Sequence, residues 1–426
     1  MRRRVAACLV VWGCGAAADG DRVTLELANR ADYLDARLED RVLGPYVAVH
    51  PGVRVVQQNT ATYQAPYRER LLTSMAAGSP PDVFQLDNID LPALVNRGVV
   101  LDLAPYLTRA AVDIACLDQT VLSIFSRGSA VYALPRGYTP LVVVYNKDLF
   151  DRAGIPYPRD DWTWDDFLRI AKRLTRDTDG DGMIDQWGTY FDRRPFVWIP
   201  WVWAGGGDVL CPDGRRAGGC LDAPVTIDAI RWYTGWMTRQ GIAPRTHNLL
   251  KSVGDDFRLF NSGRVAMMTT GHSWVPRLRP YVAAGRMRFG FVGIPHRAGV
   301  RPATAIYASG YAVPALAARR KLSIELAAYL TDSLADAVRG EAGLELPALT
   351  TAVQALVARD TLGWEAAFVR ATAVGRAPWG ARIERWREVE TVLPDLLDRI
   401  TLAGADPAAA AHDMARQVDR VLGAIR

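Results

Sequence analysis

Apolar and polar positions alternate in short blocks along the first part of the chain. Val23–Leu27 alternates as a half-buried strand does, and Val53–Gln58 and Val83–Leu86 are further apolar stretches of strand length. Between them, residues 31–46 and 67–75 repeat apolar side chains at the spacing of one helical face. Strands that alternate with helices in this way predict an α/β fold in which helices flank a mainly parallel sheet.

The second part of the chain is richer in helical patterns. Thr163 suits an N-cap and Asp166 the capping-box position of a helix whose apolar face begins at Trp164. Residues 224–240 predict another helix, and residues 323–426 are helical in pattern almost throughout. Length alone, at 426 residues with half of them hydrophobic, is enough for two cores.

Net charge does not point to a nucleic-acid partner. The chain has 51 Lys and Arg against 46 Asp and Glu, a formal charge of +5. Three of these positive charges are Arg2–Arg4, at the very start of the sequence, and the remainder are interspersed with acids. We therefore expect no nucleic acid among the partners.

Residues 1–18 predict an export leader. A basic start is followed by the apolar segment Val5–Trp12 and then by small residues. Two cleavage sites compete. Val11–Cys14 resembles a lipobox, which would make Cys14 a lipidated N-terminus, whereas Ala16–Ala18 suits an ordinary signal peptidase. We favour the lipoprotein, exported to the periplasm or cell surface and touching the membrane only through its anchor.

Two further features concern cysteines and carboxylates. Cys211 and Cys220 bracket a Pro- and Gly-rich decapeptide, which in an oxidising compartment predicts a local disulfide. Carboxylates recur at calcium-loop spacing, with Gly188 where a bidentate Glu would be expected. The loop is therefore either a structural Ca²⁺ site or a solvated turn, and we expect no other cofactor. The candidate metal ligands are Asp177, Asp179, Asp181 and Asp185.

Catalytic motifs are missing from the sequence, but aromatic residues are frequent. The five histidines show no metal-ligand spacing, and neither a G-x-S-x-G elbow nor a P-loop occurs. Trp203, Trp274 and Trp379 fall at predicted loops or strand ends, where a ligand site of an α/β protein would lie. Flat aromatic faces pack against sugar rings, although core packing explains a tryptophan equally well.

Several motifs occur in an order that resembles a known family. Tyr132–Pro135 is followed by Tyr145–Phe150 and then by Thr163–Phe167. The same order continues in Gly78–Val83 before them and in Asp181–Gly188, Phe260–Met267 and Gly310–Pro314 after them. The set resembles the family 1 extracellular solute-binding proteins of bacterial ABC sugar importers, which include the maltose-binding proteins.

The resemblance implies a two-lobed, type II-like periplasmic-binding-protein flytrap, each lobe a mainly parallel sheet flanked by helices. Lobe 1 would comprise residues 22–138 plus 270–313, and lobe 2 residues 140–268 plus 315–426. The crossings would lie near residues 138–140, 268–271 and 313–317.

The resemblance also implies a function. Such a receptor binds a carbohydrate or polyol between lobes that close on it, and delivers it to the transmembrane subunits of an ABC permease. It would be a monomer with no catalytic residues. Arg30 and Arg136 leave an anionic ligand open. The ligand-binding positions implied are Arg30, Asp32, Tyr33, Tyr63, Asp87, Tyr138, Trp203, Gly205, Gly206, Trp274, Gly310, Tyr311 and Trp379.

A different class of function is the alternative. A secreted carbohydrate-active hydrolase or lyase would use two cleft carboxylates whose pKa values are separated by their surroundings. The sequence nominates no such pair, so we prefer the binding protein.

Overall fold

The computed structural model describes residues 22–30, 33–60, 65–110, 112–245 and 255–424. The leader with Cys14, and the predicted ligand residues Asp32 and Tyr63, lie outside these residues. The strands are β1 (Val23–Asn29), β2 (Val53–Asn59), β3 (Val83–Asp87), β4 (Ser126–Arg127), β5 (Ala130–Val131), β6 (Leu134–Pro140), β7 (Val142–Asn146), β8 (Met267–Thr270), β9 (Phe289–Val292), β10 (Thr304–Ala312), β11 (Leu346–Pro347) and β12 (Gly375–Arg376).

Helices make up most of the remaining described chain. The helix that begins at Trp164 shows the predicted capping box, because the Thr163 hydroxyl accepts the Asp166 N–H and the Asp166 carboxylate accepts the Thr163 N–H. The helices are α1 (Tyr33–Val49), α2 (Ala65–Ala76), α3 (Leu91–Asn96), α4 (Gln119–Ile124), α5 (Lys147–Arg152), α6 (Trp164–Leu174), α7 (Pro195–Ala204), α8 (Pro224–Thr238), α9 (Asp255–Asn261), α10 (Trp274–Ala283), α11 (Arg320–Tyr329), α12 (Ser333–Ala342), α13 (Thr350–Ala358), α14 (Trp364–Thr372), α15 (Trp386–Thr401) and α16 (Pro407–Leu422).

The larger sheet is mixed, not mainly parallel as predicted. Its main order is β11-β6-β10-β3-β1-β2, with β12 beside β10. β1 runs parallel to β2 and β3, which are joined to it through the helices α1 and α2. β10 runs antiparallel to both β3 and β6. It reaches this sheet from the other lobe, and no crossover helix imposes a parallel direction on it.

The smaller sheet is antiparallel throughout. β7 lies in the centre, with β8 on one side and β9 on the other. α6, α7 and α8 pack beside this sheet around a cluster of aromatic rings. Trp236 is 1% exposed, and its ring centroid lies 4.8 Å from that of Trp201, so Trp236 belongs to the core of this lobe.

The strand pairing corrects the predicted division of the chain. β6 and β7 belong to different sheets, so the chain crosses at Pro140–Val142, beside the predicted first crossing. Residues 268–271 do not cross, because β8, α10 and β9 all stay with the smaller sheet. The return crossing lies between Val292 and Thr304, so β9 belongs to lobe 2 and not to lobe 1.

The last crossing also lies further along the chain than residues 313–317. α11 packs on β3 and α12 on α1, so both helices belong to lobe 1. After β12, α15 and α16 pack on α7 and α8 in lobe 2. The physical reason is the same for both corrections: a crossing is fixed by which sheet the following element pairs with, and the motifs do not encode that pairing.

A disulfide closes a loop on lobe 2. Cys211 and Cys220 are bonded, with their Cα atoms 5.3 Å apart. The Asp419 carboxylate of α16 accepts the Gly218 N–H inside this loop at 3.2 Å, so the loop is fastened to the helix behind it. None of the helices in the described ranges combines the length and apolar character needed to cross a bilayer.

Candidate functional site

The carboxyl ends of β1 and β3 carry the first pair of polar residues. Parallel neighbours end at the same edge of a sheet, which is where ligands of open α/β sheets bind. Here the Arg30 guanidinium forms an ion pair with the Asp87 carboxylate, the side chains being 30% and 15% exposed. Burial raises the pKa of Asp87, and the Arg30 charge opposes that rise. The structure thus brings two of the predicted ligand residues together.

Tyr33, another of the predicted ligand residues, begins α1 close to this edge. Asp32 and Tyr63, also predicted ligand residues, are not among the described residues. Their part in the site therefore stays a prediction.

Trp203 and Trp379 converge on a residue that the sequence analysis missed. Both indole Nε1–H groups donate to Oδ1 of Asp208, each at 2.7 Å. Oδ2 of Asp208 accepts the Arg376 guanidinium at 3.0 Å. Asp208 directly follows three glycines, and a carboxylate at the end of a glycine turn is a signal that could have been noticed.

The faces of these two indoles are covered by arginines. The Arg376 guanidinium carbon lies 3.6 Å from the Trp203 ring centroid, and that of Arg382 lies 4.0 Å from the Trp379 centroid. Trp203 and Trp379 are only 5% and 2% exposed. Cation–π stacking therefore occupies both ring faces in this conformation, in keeping with the core-packing alternative, and contact of either ring with a ligand stays a prediction.

Gly205 and Gly206 shape the end of α7. A Cβ on Gly205 would lie 2.4 Å from a ring atom of Trp164, so only glycine lets α7 pack this closely on α6. Gly206 has φ of +88°, which also favours glycine. Packing and backbone geometry thus account for glycine at both positions, and ligand contact there stays a prediction.

Three predicted aromatic ligand residues lie in the core instead. Tyr138, Trp274 and Tyr311 are 2%, 5% and 0% exposed. Trp274 packs on Phe257, with ring centroids 5.2 Å apart. Side chains this deeply buried offer little surface to a ligand in this conformation, and their part in ligand binding stays a prediction.

Gly310 is likewise a packing position. A Cβ there would lie 2.7 Å from the Leu134 carbonyl oxygen of the neighbouring strand. Arg136, which leaves an anionic ligand open in the sequence, has carboxylate partners within the fold. Arg136 is 8% exposed and pairs with Glu39 at 3.1 Å and with Glu345 at 2.9 Å.

A second group of polar and aromatic side chains lies where β10 meets α7 and α15. The Tyr307 hydroxyl donates to the Phe196 carbonyl at 3.2 Å, and their rings meet edge to face. Burial raises the pKa of Tyr307, and the nearby Glu390 carboxylate adds to the rise. Burial also raises the pKa of Glu390 itself. Within the described ranges Glu390 has no hydrogen-bond partner, which leaves an acceptor available to a ligand.

Polar contacts join the two lobes beside these groups. Asp90, in the loop after β3, accepts two hydrogen bonds from Arg387 of α15, each at 2.9 Å. Asn96 of α3 donates to Glu384 at 2.8 Å. These contacts bring lobe 1 against the segment that returns to lobe 2, and they were not foreseen from the sequence.

Three of the four predicted metal ligands lie together. One oxygen from each of Asp177, Asp179 and Asp185 lies within 4.8 Å of the others. Backbone N–H groups of the loop hydrogen-bond to Asp177 and Asp185 and lower the pKa of both. Asp181 is outside this group, and its carboxylate accepts the Met183 N–H at 2.7 Å. The geometry is compatible with either a hard cation or a turn held by its own hydrogen bonds.

Two α/β lobes joined by crossing segments, with polar side chains where they face each other, define the class of two-lobed solute-binding proteins. The chain belongs to the bacterial extracellular solute-binding proteins, whose family model matches residues 28–333. This confirms the resemblance seen in the motifs.

Individual similarities are partial. An uncharacterised lipoprotein from the oleD 5′ region of Streptomyces antibioticus is 34% identical over 188 residues, which is 41% of this chain and 40% of that protein. The diacetylchitobiose-binding protein DasA of Streptomyces coelicolor is 27% identical over 168 residues, 39% of this chain and 37% of DasA. The chain therefore matches less than half the length of these two curated relatives.

Similarity of structure extends further than similarity of sequence. The ABC substrate-binding protein Lmo0181 of Listeria monocytogenes, solved with cycloalternan, superposes with a TM-score of 0.81 at 21% identity. That alignment covers 95% of this chain and 100% of Lmo0181. Likeness at this identity shows the fold.

Proposed function

We propose that this protein is the extracytoplasmic receptor of an ABC importer, and that it binds a carbohydrate or polyol between its lobes. The observation that carries the proposal is the pairing of Arg30 with Asp87 at the carboxyl ends of β1 and β3. Such a pair offers both a donor and an acceptor to hydroxyl groups at the position where α/β sheets bind ligands. Membership of the solute-binding family supports it.

The second lobe would complete the site. Glu390 supplies a carboxylate acceptor without a described partner, and Tyr307 and Phe196 supply apolar ring surface beside it. Hydroxyl groups donate to carboxylates, while the C–H faces of a sugar ring pack on aromatic side chains. DasA and Lmo0181, named for or solved with oligosaccharides, favour this ligand class.

The receptor would act without chemical change of its ligand. A hydrolase needs two reachable carboxylates or an acid–base pair. The tightest such pair among the described residues is His272 with Glu365, 2.5 Å apart. Their side chains are 0% and 3% exposed, and Arg279 takes the other Glu365 oxygen at 2.9 Å. Because this group is enclosed, it supports a structural role.

Delivery and location follow from the proposed function. The closed receptor would dock as a monomer on the transmembrane subunits of a permease, and the ligand must favour the closed form for closure to occur. Lipidation at Cys14 would hold it at the outer face of the membrane. The lipoprotein name of the Streptomyces antibioticus relative supports that part of the proposal.

A ligand screen tests the proposal. Thermal shift against monosaccharides, oligosaccharides, polyols and glycerol phosphates should identify a stabilising ligand, whose affinity is then measured by calorimetry. Glu390→Gln should weaken binding by about tenfold or more, since hydrogen bonds to a charged group contribute about 1.5–3 kcal/mol. Asp395→Asn, an exposed change on the same helix, is the matched control.

The outcomes separate the two classes of function. Recovery of the unchanged ligand after prolonged incubation supports a receptor. An activity that converts the ligand to a product and co-purifies with the protein would make it an enzyme. Equal affinity of the Glu390→Gln and Asp395→Asn proteins would remove Glu390 from the site.

A further inference from the structure

β9, one of the two outer strands of the smaller sheet, has a backbone N–H and a carbonyl at Phe291 that point away from the sheet. The Asn146 N–H donates to Ala266 on the β8 side at 3.0 Å, whereas the Lys147 N–H donates to Arg288 on the β9 side at 2.9 Å. Successive residues of a strand direct their backbone groups to opposite sides. With the observed register, the even-numbered residues of β9 bond to β7, and Phe291 directs its N–H and carbonyl away from the sheet.

The carbonyls of the neighbouring outward residues of β9 already accept hydrogen bonds from side chains. The Phe289 carbonyl accepts the Trp364 indole N–H at 3.1 Å. The Gly293 N–H donates to Asp160 at 2.8 Å, and its carbonyl accepts another indole N–H at 2.8 Å. Within the described ranges the Phe291 N–H and carbonyl have no such partner. Among the described outward residues of β9, Phe291 is therefore the one whose N–H and carbonyl both lack such a partner.

A cavity of about 580 Å³ opens over this position, within the usual range for ligand sites. It lies at the far end of β7 from the crossing at Pro140–Val142, away from the site between the lobes. Phe291, Tyr145 and Lys147 contribute to its lining, and the wall opposite comes from the residues before α6 and the start of α14.

Three cations and two carboxylates line this cavity, and Arg159 faces Asp161 at 4.0 Å. Asp160 is engaged by the Gly293 N–H and by Arg370 at 2.6 Å. Lys147 has neither an ion pair nor a side-chain hydrogen bond within the described ranges, and its ammonium lies 5.4 Å from the Tyr157 ring centroid. Half-buried, it presents a positive charge beside the free backbone unit of Phe291.

We propose that this cavity binds an extended acidic peptide segment. One residue of the segment would pair its N–H and carbonyl with those of Phe291, as an added strand does at an open sheet edge. The carboxylate of an Asp or Glu in the segment would pair with Lys147. The charge of Lys147 favours an acidic peptide over a neutral one. Because only Phe291 offers both backbone groups, the peptide would pair with β9 through one residue and not along a long strand.

The probe is the blocked tripeptide acetyl-Val-Glu-Val-amide. The chain contains 11 Phe, so ¹⁵N-phenylalanine labelling gives a spectrum with few amide signals. The Phe291 signal is assigned by mutating the other phenylalanines and identifying the signal that remains. Titration with this peptide should shift the Phe291 signal. The peptide with Gln in place of Glu should bind about tenfold more weakly, because its side chain carries no charge to pair with Lys147. Methylation of the Glu nitrogen should abolish binding, whereas methylation of the second Val nitrogen should not.

Lysine variants complete the test. Lys147→Ala should weaken the Glu peptide about tenfold, whereas Lys172→Ala, an exposed lysine on α6, should leave its affinity unchanged. The proposal is overturned if millimolar peptide leaves the Phe291 signal in place, if both lysine variants bind equally well, or if methylation of the Glu nitrogen has no effect. The proposed transport function can fail or stand independently of these results.

Discussion

The carboxylate of Asp208 accepts the indole N–H of Trp379 at 2.7 Å, although 171 residues separate the two in sequence. The same oxygen accepts the Trp203 indole, so one acid fastens the end of α7 to the segment that returns to lobe 2. This junction lies next to β12, the last strand of the larger sheet. It therefore fixes the position of the lobe-2 surface that faces the other lobe.

Removing this acid should destabilise the protein. Asp208→Ala leaves two buried indole N–H groups and a guanidinium without their acceptor, and we expect a loss of about 2–4 kcal/mol in the free energy of unfolding. Trp379→Phe removes one hydrogen bond and should cost about 1 kcal/mol beyond its packing change. Urea unfolding measures both. Asp228→Ala, whose partner is the exposed Arg231 one turn away, should have almost no effect.

If Asp208→Ala lowers the free energy of unfolding as little as Asp228→Ala does, Asp208 does not hold this junction together. A lower affinity with unchanged stability would instead place Asp208 in contact with the ligand.

The Asp90–Arg387 pair should control how the lobes sit together. It joins the loop after β3 to α15 and is 12% and 22% exposed in its side chains. Asp90→Asn should weaken this link, increase the radius of gyration of the ligand-free protein in solution scattering, and lower ligand affinity, because closure then gains less from the contact. Glu388→Gln, on the same helix and paired only locally with Arg385, is the control.

An identical scattering profile and affinity for the Asp90→Asn and Glu388→Gln proteins would show that the pair does not restrain the lobes.

Asp336 should make stability depend on pH. Burial raises its pKa to about 7, against an ordinary value of 3.8. The folded protein then holds a proton that the unfolded chain releases, so this stabilisation is present below pH 3.8 and is lost as pH rises to about 7. Asp336→Asn, which cannot ionise, should be more stable than the wild type at about pH 8 by a few kcal/mol, with a smaller difference near pH 5.

Thermal unfolding across this pH range measures the effect, and Asp395→Asn is the matched control. An Asp336→Asn protein that is less stable than the wild type at every pH would show that the carboxylate is charged and needed in the fold.

Glu39 should act in the opposite direction. Burial alone would raise its pKa, but the guanidinium groups of Arg339 and Arg136 hold the pKa at about 2. The stabilisation it contributes is therefore present above pH 4.5 and lost as pH falls towards 2. Glu39→Gln should reduce the free energy of unfolding at neutral pH by about 3–5 kcal/mol, the usual cost of breaking a buried ion pair. Its stability should also fall less steeply than that of the wild type in acid.

Calcium should stabilise the protein if the acidic loop is a metal site. Added Ca²⁺ should raise the unfolding temperature by mass action, and a chelator should reverse the rise. Asp179→Asn should abolish the effect because Asp179 belongs to the cluster of three carboxylates. Asp181→Asn should retain it, since the Asp181 carboxylate bonds to the loop backbone instead. No thermal shift with Ca²⁺ in the unchanged protein would identify the loop as a turn.

Much of the local structure follows from the sequence because local interactions decide it. Thr163 and Asp166 cap α6 through bonds three residues apart, and the strand at Val53 is indicated by its own short apolar stretch. Cys211 and Cys220 are close in sequence, so their loop could close in few ways. The two-lobed fold follows from the order of the motifs, which reflects family membership rather than any single spacing.

Only the tertiary structure decides which side chains meet at the site. The sequence alone indicated Trp203 and Trp379 but not that both meet Asp208, because the contacts of Asp208 with Trp379 and with Arg376 join segments more than 150 residues apart. Tyr311 and Trp274 carry the same aromatic signal yet are buried, since burial depends on what packs against a strand or helix and not on its own pattern. Sheet membership, and with it the lobe to which β9 belongs, is likewise set by pairing between distant strands.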